Sequence, residues 1–478
     1  MKKITLYAIA TATLLSAVGC GKDFLTREPI LSQSQDLTLS YYDGLDKATA
    51  GAYYYLSTAG WYTSDWIIDA EMRSGNGIKS NFKNSNRSIQ PYTWNYTVDA
   101  TSPIWAYCYF TAARCNNVLD NLEGKTTDKV SQQDLDNLKA ECLFLRAFAH
   151  FENVLLFGQP YTYKPDSPGV PYVFHTDPTA KPARETVKQV YDYVVADLLE
   201  AEKSIDPKYQ RAGVADPLAA VSIYTIQALL SRVYLYMGEW QKAADYATKV
   251  INSKKFKMWT AAEYPTVWTA DKGSGEIIFE IYDKNGNSGN GYWNDIQWMT
   301  SPDGYGDAQV APSLLKLYAE GDARLNTYRT DKEKKSGYWW TSKYAGKGDN
   351  AAPDVNNVVV FRLSEMYLNR AEALVKGAKV AGASAIDDLN MITANRKAEA
   401  YKSVGMKDIQ TERRKELAWE GHYFFDMARW GLPLLRSEKE YELCTQNLNV
   451  EFPSYRWALP ISKREMDLNE NLVQNEGY

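Results

Sequence analysis

Between residues 223 and 252 the apolar positions are spaced so that only two helices folded back on each other can bury them. Ile226, Leu229, Leu230, Val233 and Met237 fall on one face of a 3.6-residue period. Gly238 then offers the chain a left-handed turn, and Ala243, Ala247 and Val250 stripe a second helix. Neither helix can hide its stripe alone, so such a hairpin requires neighbours of its own kind.

Ser231, Tyr234, Trp240, Ala243 and Ala247 stand at the eighth, eleventh, seventeenth, twentieth and twenty-fourth positions of a tetratricopeptide unit. Degenerate partners recur. A helix over about 132–157, striped by Leu143, Ala147, Phe151, Val154 and Leu155, is stopped by Gly158 and Pro160. It pairs across a 28-residue insertion with a helix opened by the capping box Thr186-Val187-Lys188-Gln189. Leu363, Tyr367, Ala371 and Leu374 stripe a helix ending near Gly377, with a partner over 385–394. Asp408 is placed to cap one further helix running through about Trp430 to Gly431 and Pro433. Earlier helices are expected near 45–56 and 103–122. The expected fold is mainly α: a tetratricopeptide-like helical repeat scaffold with large irregular loop-rich insertions. One body spans 39–478, with helix pairs at about 139–203, 218–252, 361–395 and 408–431.

Two regions break the pattern. Residues 57–103 are rich in Ser, Asn and Gly and carry Trp61, Trp66, Asp69, Arg73, Tyr92, Trp94 and Tyr96. Residues 256–360 offer one short strand, Glu276 to Tyr282, and a Gly/Asn/Asp-rich loop over 283–310 bearing Tyr292, Trp293, Trp298 and Tyr305. Long loops in compact proteins are usually functional or disordered, and four aromatics argue against disorder. The chain has 35 Tyr and 14 Trp against 14 Phe. A core alone would favour Phe, because a buried Tyr or Trp must satisfy its O–H or N–H; the excess points to wet recognition surfaces.

At the N-terminus Lys2 and Lys3 precede 16 uncharged residues, Ile4 to Gly19, and then Ala17-Val18-Gly19-Cys20 places small residues before a lone cysteine. The stretch is shorter than the ~20 apolar residues of a membrane-spanning helix. It reads as a lipoprotein signal over 1–19, with lipid on Cys20 and a tether over 20–38. Ala17 stands where such motifs usually carry Leu. The formal net charge of −5 and the absence of a Lys/Arg cluster argue against a nucleic-acid partner.

The chemistry of a catalyst is hard to find. His150, His175 and His422 stand at no metal-ligand spacing and read as structural or solvated. Cys108 and Cys115, seven apart on one expected helix, are beyond disulfide reach and read as buried thiols. Asp283, Asn285 and Asn287 alternate as calcium ligands would, but Ser288 stands where an EF-hand loop needs Gly. No metal or cofactor is expected. The run Glu412-Arg413-Arg414-Lys415-Glu416, with Glu420, Asp426 and Arg429, interleaves with Leu417, Trp419, Phe424, Phe425 and Trp430. It reads as a packed helix laced by ion pairs at three- and four-residue spacings.

Several of these segments together resemble the SusD/RagB family of outer-membrane lipoproteins. Cys20 is followed by Lys22-Asp23-Phe24-Leu25 and Pro29, and Leu145-Arg146-Ala147 leads to Phe157-Gly158. Ala371-Glu372-Ala373, Glu412-Arg413-Arg414 with Glu416-Leu417, Glu420-Gly421, and Phe425-Asp426 with Arg429-Trp430-Gly431 follow. Leu459-Pro460, Glu465 and the tail from Gln474 to Tyr478 complete the likeness, which covers nearly the whole chain. Tyr423, where the family often has Arg, and Glu476, in place of Pro, depart from it.

The resemblance implies a surface-exposed, lipid-anchored outer-membrane protein that binds a glycan and serves as a lid on a SusC-like TonB-dependent transporter. The repeats would face the transporter and the irregular regions the ligand. Sugar rings stack on Trp and Tyr while their hydroxyls seek Asp, Asn and Arg. The expected ligand residues are therefore Asp69, Arg73, Trp94, Trp298 and Tyr305, with Trp61, Trp66, Tyr292 and Trp293 in reserve. Capture of peptides by the same architecture is the alternative, and a surface glycoside hydrolase the third reading.

Overall fold

The computed structural model describes residues 35–83, 85–283, 295–331, 336–347, 355–438, 441 and 446–478. The signal segment with Cys20, the candidates Tyr292 and Trp293, and Asn285 and Asn287 of the alternating run lie outside the described residues. The principal helices are α1 (Tyr42–Ala52), α2 (Asp65–Ser74), α3 (Ile104–Leu119), α4 (Gln132–Phe157), α5 (Val187–Ser204), α6 (Ile223–Met237), α7 (Trp240–Asn252), α8 (Leu363–Val375), α9 (Ala385–Arg396), α10 (Met406–Glu416) and α11 (Tyr423–Trp430). Six short strands, β1 (Gly77–Ile78), β2 (Ile277–Ile281), β3 (Gln309–Val310), β4 (Tyr328–Thr330), β5 (Trp339–Thr341) and β6 (Val358–Arg362), form three antiparallel pairs: β1 with β3, β2 with β6, β4 with β5.

From α3 to α9 each helix packs on the next, which gives a helical array with β2 to β6 inserted between α7 and α8. The hairpin α6–α7 shows why. Ile226, Leu229, Leu230 and Val233 are fully buried, and each such side chain contributes roughly 1.5–3 kcal/mol by leaving water. Gly238 closes α6 at φ 77°, and the hydroxyl of Ser231, also fully buried, donates to the Ala243 carbonyl at 3.0 Å. That contact requires a small residue where the two helices cross. At the start of α5 the Thr186 hydroxyl accepts from the Gln189 N–H at 3.1 Å and Gln189 answers to the Thr186 N–H at 2.9 Å, which is the capping box the sequence spells.

Two expectations need correction. The helix anticipated from Asp408 to Trp430 is two helices, α10 and α11, broken over 417–422. Trp419 (φ 63°) and Gly421 (φ 80°) adopt left-handed backbone there, and the Gly421 N–H donates to Glu71 at 3.0 Å. A side chain at Gly421 would meet the Trp66 ring at 2.9 Å. The region 57–103 is also less irregular than expected, because α2 runs through it and ends at Gly75 in left-handed conformation (φ 78°). Trp66, Ile67, Ile68, Ala70, Glu71, Met72, Arg73 and Ser74 are all buried, so α2 turns only Asp65 and Asp69 outward, too narrow a polar stripe to betray it.

The charged run of α10 is packed, but most of its partners come from distant segments. Arg324, Lys343, Arg362, Arg396 and Lys415 meet Asp322, Glu276, Glu412, Glu416 and Glu420 in one network. Five cations against five carboxylates leave no net charge in a site that water does not reach, which is the condition for such a network to be tolerated. Arg362, at the end of β6, reaches Glu416 at 2.7 Å and Glu420 at 2.7 Å; Arg396, at the end of α9, reaches Glu276 at 2.5 Å. The network therefore bolts the β2–β6 pair to α9 and α10. Lys415 to Glu412 and Arg429 to Asp426 do keep the expected three-residue spacing. His150 is buried between the Arg146 carbonyl and the Val173 N–H, His422 is buried, and His175 is exposed beside Asp120. Cys108, Cys115 and Cys142 are buried free thiols.

Candidate ligand-binding cleft

Four of the expected ligand residues are committed to the interior. Trp61 is fully buried, donates its indole N–H to Glu152 at 2.6 Å and stacks near Phe148. Trp66 stacks on Phe425 with centroids 4.7 Å apart. Trp94 packs edge-on against Trp457 at 5.0 Å and gives its N–H to the Arg73 carbonyl. Arg73 is enclosed by the rings of Phe424, Trp94 and Tyr96 at 3.8, 4.8 and 5.5 Å and donates to the Arg456 carbonyl. As placed, none of the four offers a face to a ligand. Trp66 and Trp94 pack on Phe425 and Phe424 of α11, and Trp61 is tied to α4.

Of the remaining three, Asp69 lines an open cleft, while Trp298 and Tyr305 stand beside two of its lining residues, Met299 and Arg87. Asp65 and Asp69 lie one turn apart on α2 and project into a cleft of about 380 Å³, together with Ser64, Ser88, Arg87 and Tyr107. Asp69 accepts from the Tyr96 hydroxyl at 2.9 Å. Asp65, by contrast, accepts no side-chain hydrogen bond among the described residues. Burial, and then the charge of Asp69, push its carboxyl well above the ordinary range. Burial raises Asp69 too, while Tyr96 and Arg73 pull it back. The hydroxyl of Ser88, 1% exposed, also lacks a partner among the described residues.

The rim is built by backbone. The Ile296 N–H donates to the Thr63 carbonyl at 2.8 Å, which seats the short helix Ile296–Met299 against α2 and brings Met299 to the cleft wall. The Trp298 carbonyl then accepts from both Tyr305 (2.7 Å) and Gly306 (3.1 Å), folding 298–306 into a tight loop. Gly304 is essential to it, since a Cβ there would lie 2.7 Å from the Trp298 ring. Trp298 and Tyr305, both half-buried, end with ring centroids 5.9 Å apart. Arg87 links rim and cleft: its N–H donates to Asp307 at 2.6 Å, its guanidinium donates to the Tyr305 hydroxyl at 2.8 Å, and it lies 3.9 Å over that ring. Tyr107 is fixed on the opposite wall, its ring resting on Gly60, where a Cβ would be only 2.0 Å away.

Chemically, the cleft presents carboxyl acceptors, a hydroxyl and a guanidinium beside two half-exposed aromatic rings. Asp65, Arg87, Ser88 and Tyr107 were absent from the sequence reading. Asp65 was findable as the residue one turn before Asp69, had α2 been recognised; Arg87 and Tyr107 arrive by tertiary folding and carry no local signal.

Comparison with known proteins agrees with this architecture. Residues 23–235 match the family model described as starch-binding associating with outer membrane, and residues 323–478 match that of the SusD family. SusD-like protein P2 of Formosa agariphila is 24% identical, with 97% of this chain and 98% of that protein covered. The starch-binding protein SusD of Bacteroides thetaiotaomicron is 23% identical over 81% of this chain and 80% of its own. A solved SusD superfamily protein of B. thetaiotaomicron superposes with a TM-score of 0.80 at 29% identity, covering 91% of this chain and 99% of the other. The chain belongs to the SusD/RagB family.

Proposed function

We propose that this protein captures oligosaccharide from the medium at the cleft between α2 and the 298–306 loop, without catalysis. The observation that carries the reading is Asp65, a half-buried carboxyl that accepts no side-chain hydrogen bond among the described residues and lines one cleft with Asp69, Arg87 and Ser88. Buried polar groups left unpaired are costly, and a ligand rich in hydroxyls relieves that cost while one lacking them is rejected. Trp298 and Tyr305 at the rim supply faces for sugar rings, and Arg87 and Asp69 supply further hydrogen bonds. Starch binding by a relative of similar length supports the ligand class. Asp65 and Asp69 stand side by side on one helix and do not face each other across a scissile bond, so the arrangement suits holding a sugar and not hydrolysing it.

Lipid on Cys20 would keep this binder on the outer membrane, and a TonB-dependent transporter would receive its cargo. Among the described residues no helix is long and apolar enough to cross a membrane. Replacing Cys20 with Ser should release the protein from the membrane fraction, and detergent extraction of the unaltered protein should bring a β-barrel partner with it. Retention of the Ser variant on membranes would sink the anchor, and extraction without a barrel would sink the partnership.

The test of binding is calorimetry of the Cys20→Ser protein against starch-, laminarin-, mannan-, xylan- and pectin-derived oligosaccharides, with peptide digests alongside. One glycan series should bind, and Asp65→Ala and Trp298→Ala should each weaken it at least tenfold. No reducing ends should accumulate. Binding of peptides alone, or full affinity in both variants, would overturn the reading.

A further inference from the structure

The cleft does not end at Tyr107. That residue belongs to α3, and three positions on, along the same face of the helix, stands Phe110, 48% exposed. The two rings meet edge to face with centroids 6.2 Å apart. Tyr55, from the 3-10 turn Tyr54–Ser57, lies 6.0 Å from Tyr107 and 5.2 Å from Phe110, and Tyr54, 47% exposed, lies a further 5.2 Å on. The four rings thus form an uninterrupted strip leading away from Asp65 and Asp69. Its far side opens into a second groove of about 460 Å³, lined by Leu39, Ala48, Tyr55, Phe110, Arg114 and Asn117.

The four adjoining rings, two of them half-exposed, make one contiguous apolar patch, the kind of surface at which ligands and partners bind. The strip is polar at its edges: the Arg114 guanidinium lies 5.0 Å over the Tyr55 ring and points its Nη2 at the Tyr55 hydroxyl, 3.4 Å away. Asn117 lines the same groove one turn after Ala113. Successive rings are tilted against each other by 37° to 84°, so each presents its own face and the strip is not one flat hydrophobic plate. Separate faces with donors and acceptors along the edge are what a chain of sugar rings uses. Continuity through Tyr107, which is both cleft wall and first ring of the strip, ties this surface to the same ligand.

We infer that Tyr107, Phe110, Tyr55 and Tyr54 form an extended track of secondary sugar subsites, continuing the primary cleft into the Arg114–Asn117 groove, so that the protein selects long glycan chains over short ones. The inference rests on the glycan reading of the cleft and adds chain-length selectivity to it. Short oligosaccharides occupy the cleft alone; longer ones gain contact along the strip. Phe110 and Tyr54 are exposed, so their truncation leaves the core untouched.

The experiment measures affinity for tri- and heptasaccharides of the series that binds in the panel above. The proteins compared are the wild type, the Tyr54→Ala/Phe110→Ala double variant and Trp298→Ala, with unfolding temperatures recorded for each. The expected result is at least a tenfold loss of heptasaccharide affinity in the double variant with trisaccharide affinity unchanged, while Trp298→Ala weakens both. Heptasaccharide affinity equal to wild type in the double variant, with Trp298→Ala still defective, would overturn the track and leave the cleft standing. Equal loss for both lengths would also overturn it, as would a patch whose truncation alters only self-association. Unchanged binding in every variant would bring down cleft and track together.

Discussion

Glu416 gathers three guanidinium groups around one carboxylate: Arg362 at 2.7 Å, Arg396 at 2.8 Å and Arg324 at 3.0 Å. Burial alone would raise this carboxyl, yet Arg396, Arg362 and Arg324 hold it well below the ordinary glutamate range. Its folded value is depressed, so its contribution is complete above the unfolded value and is lost only as pH falls through the folded one, in strong acid. Glu416→Ala leaves three buried cations short of a partner and should cost about 3–5 kcal/mol, read by urea unfolding at neutral pH. A loss below about 1 kcal/mol would show that the network does not hold the fold. Glu152 has the opposite sign. Burial pushes it up to about 8 against the pull of Tyr62 and Trp61, so folding takes up a proton and stability falls as pH rises from the ordinary 4.5 toward 8. Glu152→Gln should therefore gain stability relative to wild type between pH 5 and pH 8, checked by thermal unfolding at both; a gain independent of pH would contradict the assignment. At this scale the sequence misled most about tryptophan. Trp61 and Trp94 have the same composition signal as Trp298, and only burial distinguishes a ring enclosed in the core from one set at a rim.

Elements with a local signature were legible and elements defined by distant contacts were not. The α6–α7 hairpin shows through its apolar stripes and its Gly238 turn, α5 through its capping box, and β2, buried along its whole length, through its run of Ile and Phe. α2 turns only Asp65 and Asp69 outward, and Glu71 and Arg73 are buried with its apolar residues, so periodicity could not reveal it. The break between α10 and α11 was hidden for a different reason: Leu417, Trp419, Phe424 and Phe425 continue to look helical, while the interruption is imposed by Glu71 and Trp66 from far along the chain. Gly421 is the one local sign. Its φ of 80° and the 2.9 Å approach of Trp66 to a Cβ predict that Gly421→Ala loses about 1–3 kcal/mol, measurable by chemical denaturation. A neutral outcome would mean that the loop can relax away from α2.

For the whole molecule, the repeats and the cleft divide the labour. The array from α3 to α9 buries apolar stripes in sequence order, and α2, the 298–306 loop and the network around Glu416 fix an irregular half on which binding groups can be held. A rigid frame matters to the proposed site, because a half-buried carboxyl such as Asp65 would discriminate among ligands only if it could not swing away. The family of the chain was legible from its motifs, and those motifs prove to be mainly structural: Glu412, Arg413 and Glu416 are in buried ion pairs, Arg429 pairs with Glu372, and the Asn475 amide donates to the carbonyls of Phe157 and Leu459. Motifs that secure the frame identify the class, whereas the residues proposed to choose a ligand lie in segments whose pattern is not periodic. The most direct test of the cleft is a crystal structure of the Cys20→Ser protein with the oligosaccharide selected by calorimetry. Sugar hydroxyls are expected within hydrogen-bond distance of Asp65 and Ser88, with a ring against Trp298 or Tyr305 and Arg87 alongside; a sugar bound elsewhere, with that cleft empty, would overturn the assignment.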